Sequence, residues 1–414
     1  MRYIDAAEDP SEYRPGGFHP THLGDTFSNG RYTIVHKLGY GSSSTVWLVD
    51  DTHTGSYAAL KIVVSELDGA TELAILRHLV ETYDAEEEGG RYVARMLDHF
   101  VHEGPNGKHL CIVTDVQGPH IAAETLRFFF GAYNGVMSAD IARRLSGQIA
   151  LGVAYLHKRG IAHGDLHAGN ILFCFPHPWT SLEEIERDLG TPRKKDFKPT
   201  PEEAASPHLP KYLVPSTAMF YKADLLRKCL QKPNIRICDF SGSYMPNLPH
   251  PSPLAVPHMF RPPQAILGEV PHATLELDIW ALAVLFHVLF AGFGLFLERG
   301  DDLLADMAFN LGPFPKPYWC KWENRAQYFD ASGKRMDPSW ETTFLKVECS
   351  MPQGRKERRA FEALLRCMTT YDPGKRISAQ RVADDAWITE FCRPFMGCNV
   401  EYTVEYLSSD DSEG

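Results

Sequence analysis

Paired cysteines are missing from this chain. Its nine cysteines are an odd number spread over 414 residues with no C-x-x-C, which excludes a disulfide framework and zinc-type spacing. Scattered buried thiols in a reducing compartment are the reading that is left, in the cytoplasm with nuclear entry open. No leader is expected either: Met1 to Pro10 carries Asp5, Glu8 and Asp9 and no apolar core, so no secretory signal is read and the mature chain is expected to start near Met1. Excess positive charge is lacking, with 42 Lys+Arg against 53 Asp+Glu and a net charge of -11, which argues against direct nucleic-acid or anionic-lipid partners. The deficit is local. The last fourteen residues hold five acids and no base, and residues 81–98 hold six acids and two bases, leaving -2 for everything else. Net charge is therefore poor evidence for a basic partner. One long apolar run carries no charge, Ile279 to Leu297, and it contains His287, Gly292 and Gly294, follows Asp278 directly and has no cluster of basic residues at either end. It reads as the buried helix of a large domain and not as a membrane span. No repeat is visible, and 44% hydrophobic with 23% charged residues is the composition of a folded globular chain.

What is present begins with strands. Tyr32 to Val35, Thr45 to Val49 and Tyr57 to Val64 are β-rich runs joined by Gly-rich or Asp/Thr/Gly turns. Leu73, Leu76 and Leu79 then suggest a helix over Glu66 to Val80, followed by strands at Met96 to Val101 and His109 to Thr114 around a Gly-Pro-Asn-Gly turn. From Ser138, placed to cap a helix reaching Lys158, helices dominate. Cys174 to Asn234 holds nine of the 29 prolines and reads as an insertion, mostly loop, with one helical piece near Thr217 to Leu230.

Four segments carry chemistry. Leu38-Gly39-Tyr40-Gly41-Ser42-Ser43-Ser44-Thr45-Val46 is a glycine turn between two strands, where backbone N–H groups can approach phosphate oxygens. A dinucleotide fingerprint would need a helix next, and Thr45 to Val49 is strand-like. Lys61 lies inside the apolar strand Ala58-Ala59-Leu60-Lys61-Ile62 and needs a carboxylate or a phosphate, with Glu72 the nearest candidate and a surface-facing strand lysine the plainer alternative. His163-Gly164-Asp165-Leu166-His167-Ala168-Gly169-Asn170 puts an Asp and an Asn five apart on one loop, able to divide the tasks of orienting a hydroxyl and holding Mg²⁺. A His163/His167 zinc pair is the weaker reading, because the glycines break the helix that would align them. Ile235 to Ile237 leads through Cys238 to Asp239, a carboxylate suited to a hard cation or simply to starting a turn.

Together, in this order, the segments resemble the protein-kinase fold, from about Gly30 to Phe391. The fold class expected is α+β and bilobal: a small antiparallel N-lobe sheet with one helix and a larger, mainly helical C-lobe. More narrowly, Glu8 to Tyr13, Gly16-Gly17-Phe18-His19, Lys37 to Gly41, Leu97-Asp98-His99-Phe100, Phe260-Arg261-Pro262-Pro263-Gln264 and Leu311 to Pro315 look like SR-protein kinases. The resemblance implies an ATP- and Mg²⁺-dependent serine/threonine kinase acting on protein substrates, Arg/Ser-rich ones in particular, as a monomer. Its segments would be an extension at 1–29, the small lobe at 30–115, the large lobe at 116–173 and 235–396, the insertion at 174–234 and an acidic tail at 397–414. It implies that Leu38, Gly39, Gly41, Ser44, Val46 and Ala59 surround the nucleotide and that Lys61 contacts the α/β-phosphates while pairing with Glu72. Thr114 would be the gatekeeper before the hinge Asp115, Val116 and Gln117, Asp165 would orient the substrate hydroxyl, and Asn170 and Asp239 would hold Mg²⁺.

Departures from the general pattern are Ser44 for the third glycine, Gly164 for an Arg, His167 for a Lys, Ser241 for a Gly, and Gln264 for the Glu that pairs with Arg376. They imply no activation by loop phosphorylation, a γ-phosphate steadied at best by a protonated His167, added steric restriction at Ser241, and a hydrogen bond at best for Gln264. They also motivate an alternative, a nucleotide-binding pseudokinase scaffold. His-Gly-Asp-Leu-His-x-Gly-Asn further resembles small-molecule phosphotransferases, against which the activation-segment end at Phe260 to Gln264 argues. Glu298, Asp301, Asp302 and Asp306 form a candidate acidic docking surface, against the plainer reading of a solvated helix start, and the Ser408 to Glu413 tail resembles an acidophilic-kinase target.

Overall fold

The computed structural model describes residues 7–122, 137–197, 206–219, 222–249, 254–270, 272–296, 299–337 and 354–397. The chain forms two compact units: residues 1–83, 94–119 and 173–230 in unit 1, and residues 84–93, 120–172 and 231–414 in unit 2. The longer helices are α1 (Ala70–Glu81), α2 (Ala139–Lys158), α3 (Leu182–Leu189), α4 (Ala223–Gln231), α5 (Leu275–Ala291), α6 (Asp301–Leu311) and α7 (Arg355–Met368).

Unit 1 is built on an antiparallel sheet of β1 (Thr26–Phe27), β2 (Tyr32–Tyr40), β3 (Ser44–Asp51), β4 (Ser56–Val63), β5 (Met96–Gly104) and β6 (Gly107–Thr114), in the spatial order β1-β2-β3-β4-β6-β5. Alternation buries Tyr32, Ile34, Trp47, Val49, Leu60, Ile62 and Val113 on one face. Helix α1 starts four residues later than Glu66, because Gly69 sits at φ 60° and the Asp68 carboxylate accepts the Ala70 N–H at 3.0 Å. The chain is still turning until that point.

The Pro-rich segment is more structured than its composition suggests. It carries a second helix, α3, whose sequence signal is Ser181 three residues before Glu184: the Ser181 hydroxyl accepts the Glu184 N–H at 3.3 Å and the Glu184 carboxylate accepts the Thr180 N–H at 2.7 Å. Asp188 joins α3 to α4 through Lys228 at 2.6 Å and Trp179 Nε1 at 2.9 Å. Trp179, Ile185, Leu189 and Leu225 pack on Leu48 of β3, with Val35 and Leu38 beside them, so the prolines direct a chain that covers a sheet face.

The N-terminal segment is tied to the same sheet. Lys37 on β2 is fully buried, pairs with Glu8 and lies 5.1 Å from the Trp47 ring. Glu8 also accepts from the Tyr13 hydroxyl, so neither charge is left uncompensated. Asn106, in the β5–β6 turn, donates to the carbonyls of Phe18 at 2.6 Å and His208 at 2.9 Å, joining the extension, the sheet and the insertion.

His19 of the extension packs against His102 and His109, opposed residues of β5 and β6, with ring centroids 4.6 and 5.1 Å away. Burial first, and then His102, His109 and His22, hold His19 down at about 3, and burial also lowers His102 and His109. Asp25 faces His102 and opposes its shift. A histidine depressed in the folded state leaves stability intact above its unfolded value near 6.5 and removes it progressively as pH falls below that value. Denaturant melts should therefore show the wild type weaker at pH 5 than at pH 7.5, with His19 alone accounting for about 2 kcal/mol. His19→Gln should flatten that difference, and an unchanged pH dependence in the variant would overturn this assignment.

Unit 2 centres on α5, capped by Thr274, whose hydroxyl accepts the Leu277 N–H at 3.2 Å, and closed by Gly292 at φ 75°. Its residues from Leu277 to Ala291 are all buried, as the uncharged run predicts. Among the described residues no helix is long and apolar enough to cross a membrane. Helix α2 starts at the Ser138 cap and is joined to α7 by Arg143 and Glu357, at 2.7 and 2.8 Å. Trp387 packs against Phe286, Phe290 and Phe361. The seven cysteines among the described residues are free thiols. The acidic tail lies outside the described residues.

Candidate active site

In unit 1 the strand register gathers most of the sequence-derived residues. Gly39 pairs with Val46, Val46 with Lys61, and Ala59 with Thr114. The turn itself closes through Gly41 N–H to Ser44 O at 2.9 Å, and a Cβ added at Gly39 or Gly41 would meet no protein atom within 4 Å. No protein neighbour requires those glycines, which is what a surface kept clear for a ligand looks like. Lys61 Nζ reaches both Glu72 oxygens, at 2.7 and 3.0 Å, across from the first turn of α1. After β6, Thr114 is half-buried and Val116 packs beside Leu48. Gln117 donates to the Asp115 carbonyl at 3.5 Å, while its Oε1 is buried without a partner.

In unit 2 the Asp165–Asn170 loop is held from several sides. Asn170 Nδ2 donates to the Asp165 carbonyl at 2.9 Å and to Asp165 Oδ2 at 3.0 Å. Asp165 Oδ1 is buried without a hydrogen-bond partner, and His167 Nε2 lies 3.5 Å from it. The Asn170 carbonyl accepts the Cys238 N–H at 2.8 Å, which places the strand end carrying Asp239 next to Asn170. Asp239 adopts φ 62°, and its Oδ1 accepts the Ser241 N–H at 3.2 Å. The left-handed backbone thus falls on Asp239 and not on Ser241, so a serine at 241 brings no steric restriction. With its amide nitrogen committed to Asp165, Asn170 has its side-chain oxygen left to offer.

Asp278 was not recognised as a functional residue from sequence. Fully buried at the start of α5, it accepts the N–H of His163 at 2.6 Å and of Gly164 at 2.9 Å, and contacts His157 Nε2 at 3.0 Å. The signal available was a lone carboxylate heading an uncharged run, since such a group must find donors inside the protein. The loop side of this arrangement continues through Ser243, whose hydroxyl donates to the His163 carbonyl at 2.7 Å.

The zinc alternative finds no geometry. His163 Nε2 meets the Cys238 carbonyl at 3.0 Å, its Nδ1 accepts the Asp165 N–H at 3.3 Å, and no group of three ligands among the described residues suits a metal. Gln264 and Arg376, for which a hydrogen bond was the most the exchange allowed, form none. Arg376 donates to the carbonyls of Thr370 at 3.0 Å and Glu276 at 2.5 Å and lies over the Trp280 ring, while its Nη2 and Gln264 Oε1 are both buried without partners. Burial pushes the Arg376 guanidinium down to about 10. Asp306 leaves the acidic docking surface, because it is buried and bonded to Asn310. Asp301 bonds Trp322 and Asn324, Asp302 bonds Tyr328, and Glu298 lies outside the described residues.

A protein kinase domain model matches residues 32–177. A serine/threonine-protein kinase SRPK of Physarum polycephalum is 29% identical over 391 residues, covering 90% of this chain and 89% of the relative. A serine/threonine protein kinase of Aspergillus fumigatus is 28% identical over 390 residues, covering 90% and 88%. Protein kinase dsk1 of Schizosaccharomyces pombe is 34% identical over 188 residues, covering 44% and 34%. This chain is a serine/threonine protein kinase, SRPK-like in sequence. Units 1 and 2 carry the strand-rich and helical halves of that fold. Protein kinases as a family use ATP and Mg²⁺ and act on proteins. The SRPK-like kinase here has groups that suit the pair: a glycine turn clear of side chains, a lysine held by a carboxylate, and the oxygen-bearing side chains of Asn170 and Asp239 on adjoining backbone, the kind of contribution Mg²⁺ usually takes alongside phosphates.

Proposed function

We propose that the kinase transfers the γ-phosphate of ATP to serine or threonine hydroxyls of Arg/Ser-rich proteins, with Asp165 orienting the attacking hydroxyl. The observation that carries this reading is the buried Oδ1 of Asp165, which accepts no hydrogen bond and has only the His167 ring nearby at 3.5 Å, while Asn170 holds its other oxygen in place. Asp165 Oδ1 would be the acceptor for the substrate hydroxyl, so positioning supplies the advantage. Asn170 and Asp239 would hold Mg²⁺, which when bound neutralises charge on the phosphates. Lys61, fixed by Glu72, would contact the α/β-phosphates, with Leu38, Gly39, Gly41, Ser44, Val46 and Ala59 around the nucleotide. Thr114, Asp115, Val116 and Gln117 would meet the adenine. The SRPK name of the Physarum relative supports an Arg/Ser-rich substrate. Free thiols support a reducing location, the cytoplasm with nuclear entry open.

The test is phosphate transfer from MgATP to an Arg/Ser-repeat peptide and to a lysine-free acidic peptide. Wild type should label the first and not the second, and Asp165→Ala should lose at least about 100-fold in kcat with its melting temperature unchanged. No transfer by wild type, or equal residual rates in the variant, would replace this reading with that of a nucleotide-binding scaffold.

A further inference from the structure

His167 occupies the loop position where a lysine would place a charge on the γ-phosphate, and its surroundings give it a different task. Its Nδ1 accepts the Gly169 N–H at 3.0 Å, making His167 the cap of the single 3₁₀ turn Ala168–Asn170. An N–H aimed at Nδ1 requires that nitrogen to carry a lone pair, so the ring proton of the neutral imidazole resides on Nε2. Nε2 lies 3.5 Å from Asp165 Oδ1, a contact at the outer limit of hydrogen-bond length, while Phe260 lies beside the ring at a centroid distance of 6.2 Å. The turn that is capped is the one that delivers Asn170, and the Asn170 N–H in turn bonds the His167 carbonyl at 3.0 Å. Gly169 fits the same arrangement: a Cβ there would lie 2.6 Å from His167 Cε1 and 2.9 Å from Nδ1. The glycine is where the ring rests.

We infer that His167 is a positioning residue, an acceptor that fixes the turn between Asp165 and Asn170, and does not stand in for a phosphate-binding cation. The inference rests on the proposed role of Asp165 and goes beyond it. Two substitutions separate the two ring nitrogens. Asparagine presents an amide oxygen where Nδ1 stands and closes the same i to i+2 turn, whereas glutamine presents a group near Nε2 and no acceptor at the cap. Lysine restores the familiar cation and removes the acceptor.

His167→Asn should keep kcat within about threefold of wild type, while His167→Gln and His167→Lys should each lose about tenfold or more in kcat with a smaller change in KM for the peptide. Amide hydrogen exchange at Gly169, read without nucleotide, should stay slow in wild type and His167→Asn and become faster in His167→Gln and His167→Lys. A lysine variant as active as wild type, or a glutamine variant with unchanged Gly169 exchange, overturns the inference. Asp165→Ala separates this from a failure of the functional reading: it should lose activity yet retain Gly169 protection.

Discussion

Gly164→Arg, the exchange that would create the His-Arg-Asp sequence found in many kinases, should give a protein that folds poorly and does not phosphorylate an Arg/Ser peptide. Gly164 adopts φ 75°, and a Cβ there would sit 2.2 Å from the Gly242 carbonyl oxygen and 2.6 Å from Ala273 Cβ. A backbone oxygen cannot swing away as a side-chain end can, so either the loop or the turn at Gly242 must move. The left-handed conformation adds its own cost for any residue with a Cβ. Gly164→Ala alone should therefore destabilise by about 3 kcal/mol or more, readable as a lower urea midpoint with an unchanged slope. Wild-type stability in the alanine variant would show that this backbone is not as constrained as the contacts indicate. The position is thus not a kinase loop with its arginine deleted. The backbone has closed over the space that a side chain would need, and a phosphate-reading cation has no room to return.

Asp278→Ala should cost about 3 to 5 kcal/mol in stability and about 100-fold in kcat. Its carboxylate satisfies two successive N–H groups of the loop and the ring of His157 at once. Removing it strands both N–H groups in a fully buried place, and nothing else within the loop can accept them. The rate loss should exceed what the stability loss accounts for, because His163 and Gly164 immediately precede Asp165. Assays at a temperature where the variant is still folded, checked by circular dichroism, separate the two effects. Asp278→Asn keeps one acceptor but turns a donor toward an N–H, so it should recover little of the rate. Full activity in either folded variant would mean that the loop holds its shape without this anchor.

Much of this was legible from residue order. Strands β2 to β6 announced themselves as β-rich runs between turns, α2 by its Ser138 cap and apolar spacing, and α5 by its uncharged run. Lys61 in an apolar strand demanded a carboxylate, and Glu72 supplies it. What stayed hidden depends on contacts made far along the chain. Asp278 finds its partners more than a hundred residues away. The insertion read as loop because prolines mask the short amphipathic stretch of α3, although the Ser181–Glu184 spacing marked its start. Arg376 and Gln264 stay apart, within the weak pairing that the loss of a carboxylate at 264 implied, and the guanidinium is taken up by two carbonyls and an indole face.

The three-part make-up of unit 1 sets a limit on how this protein can emerge from the ribosome. The sheet strands are complete once residue 119 is made, yet Leu48 lacks its cover of Trp179, Ile185, Leu189 and Leu225, and Asn106 lacks His208, until residues up to 230 have followed. Meanwhile residues 120–172, which belong to the other unit, are synthesised in between. The sheet must therefore wait, with an apolar face uncovered, through more than a hundred residues of translation. Folding of the two units is interleaved in time, and the stretch of exposure in the middle is where a chaperone would find its strongest handhold.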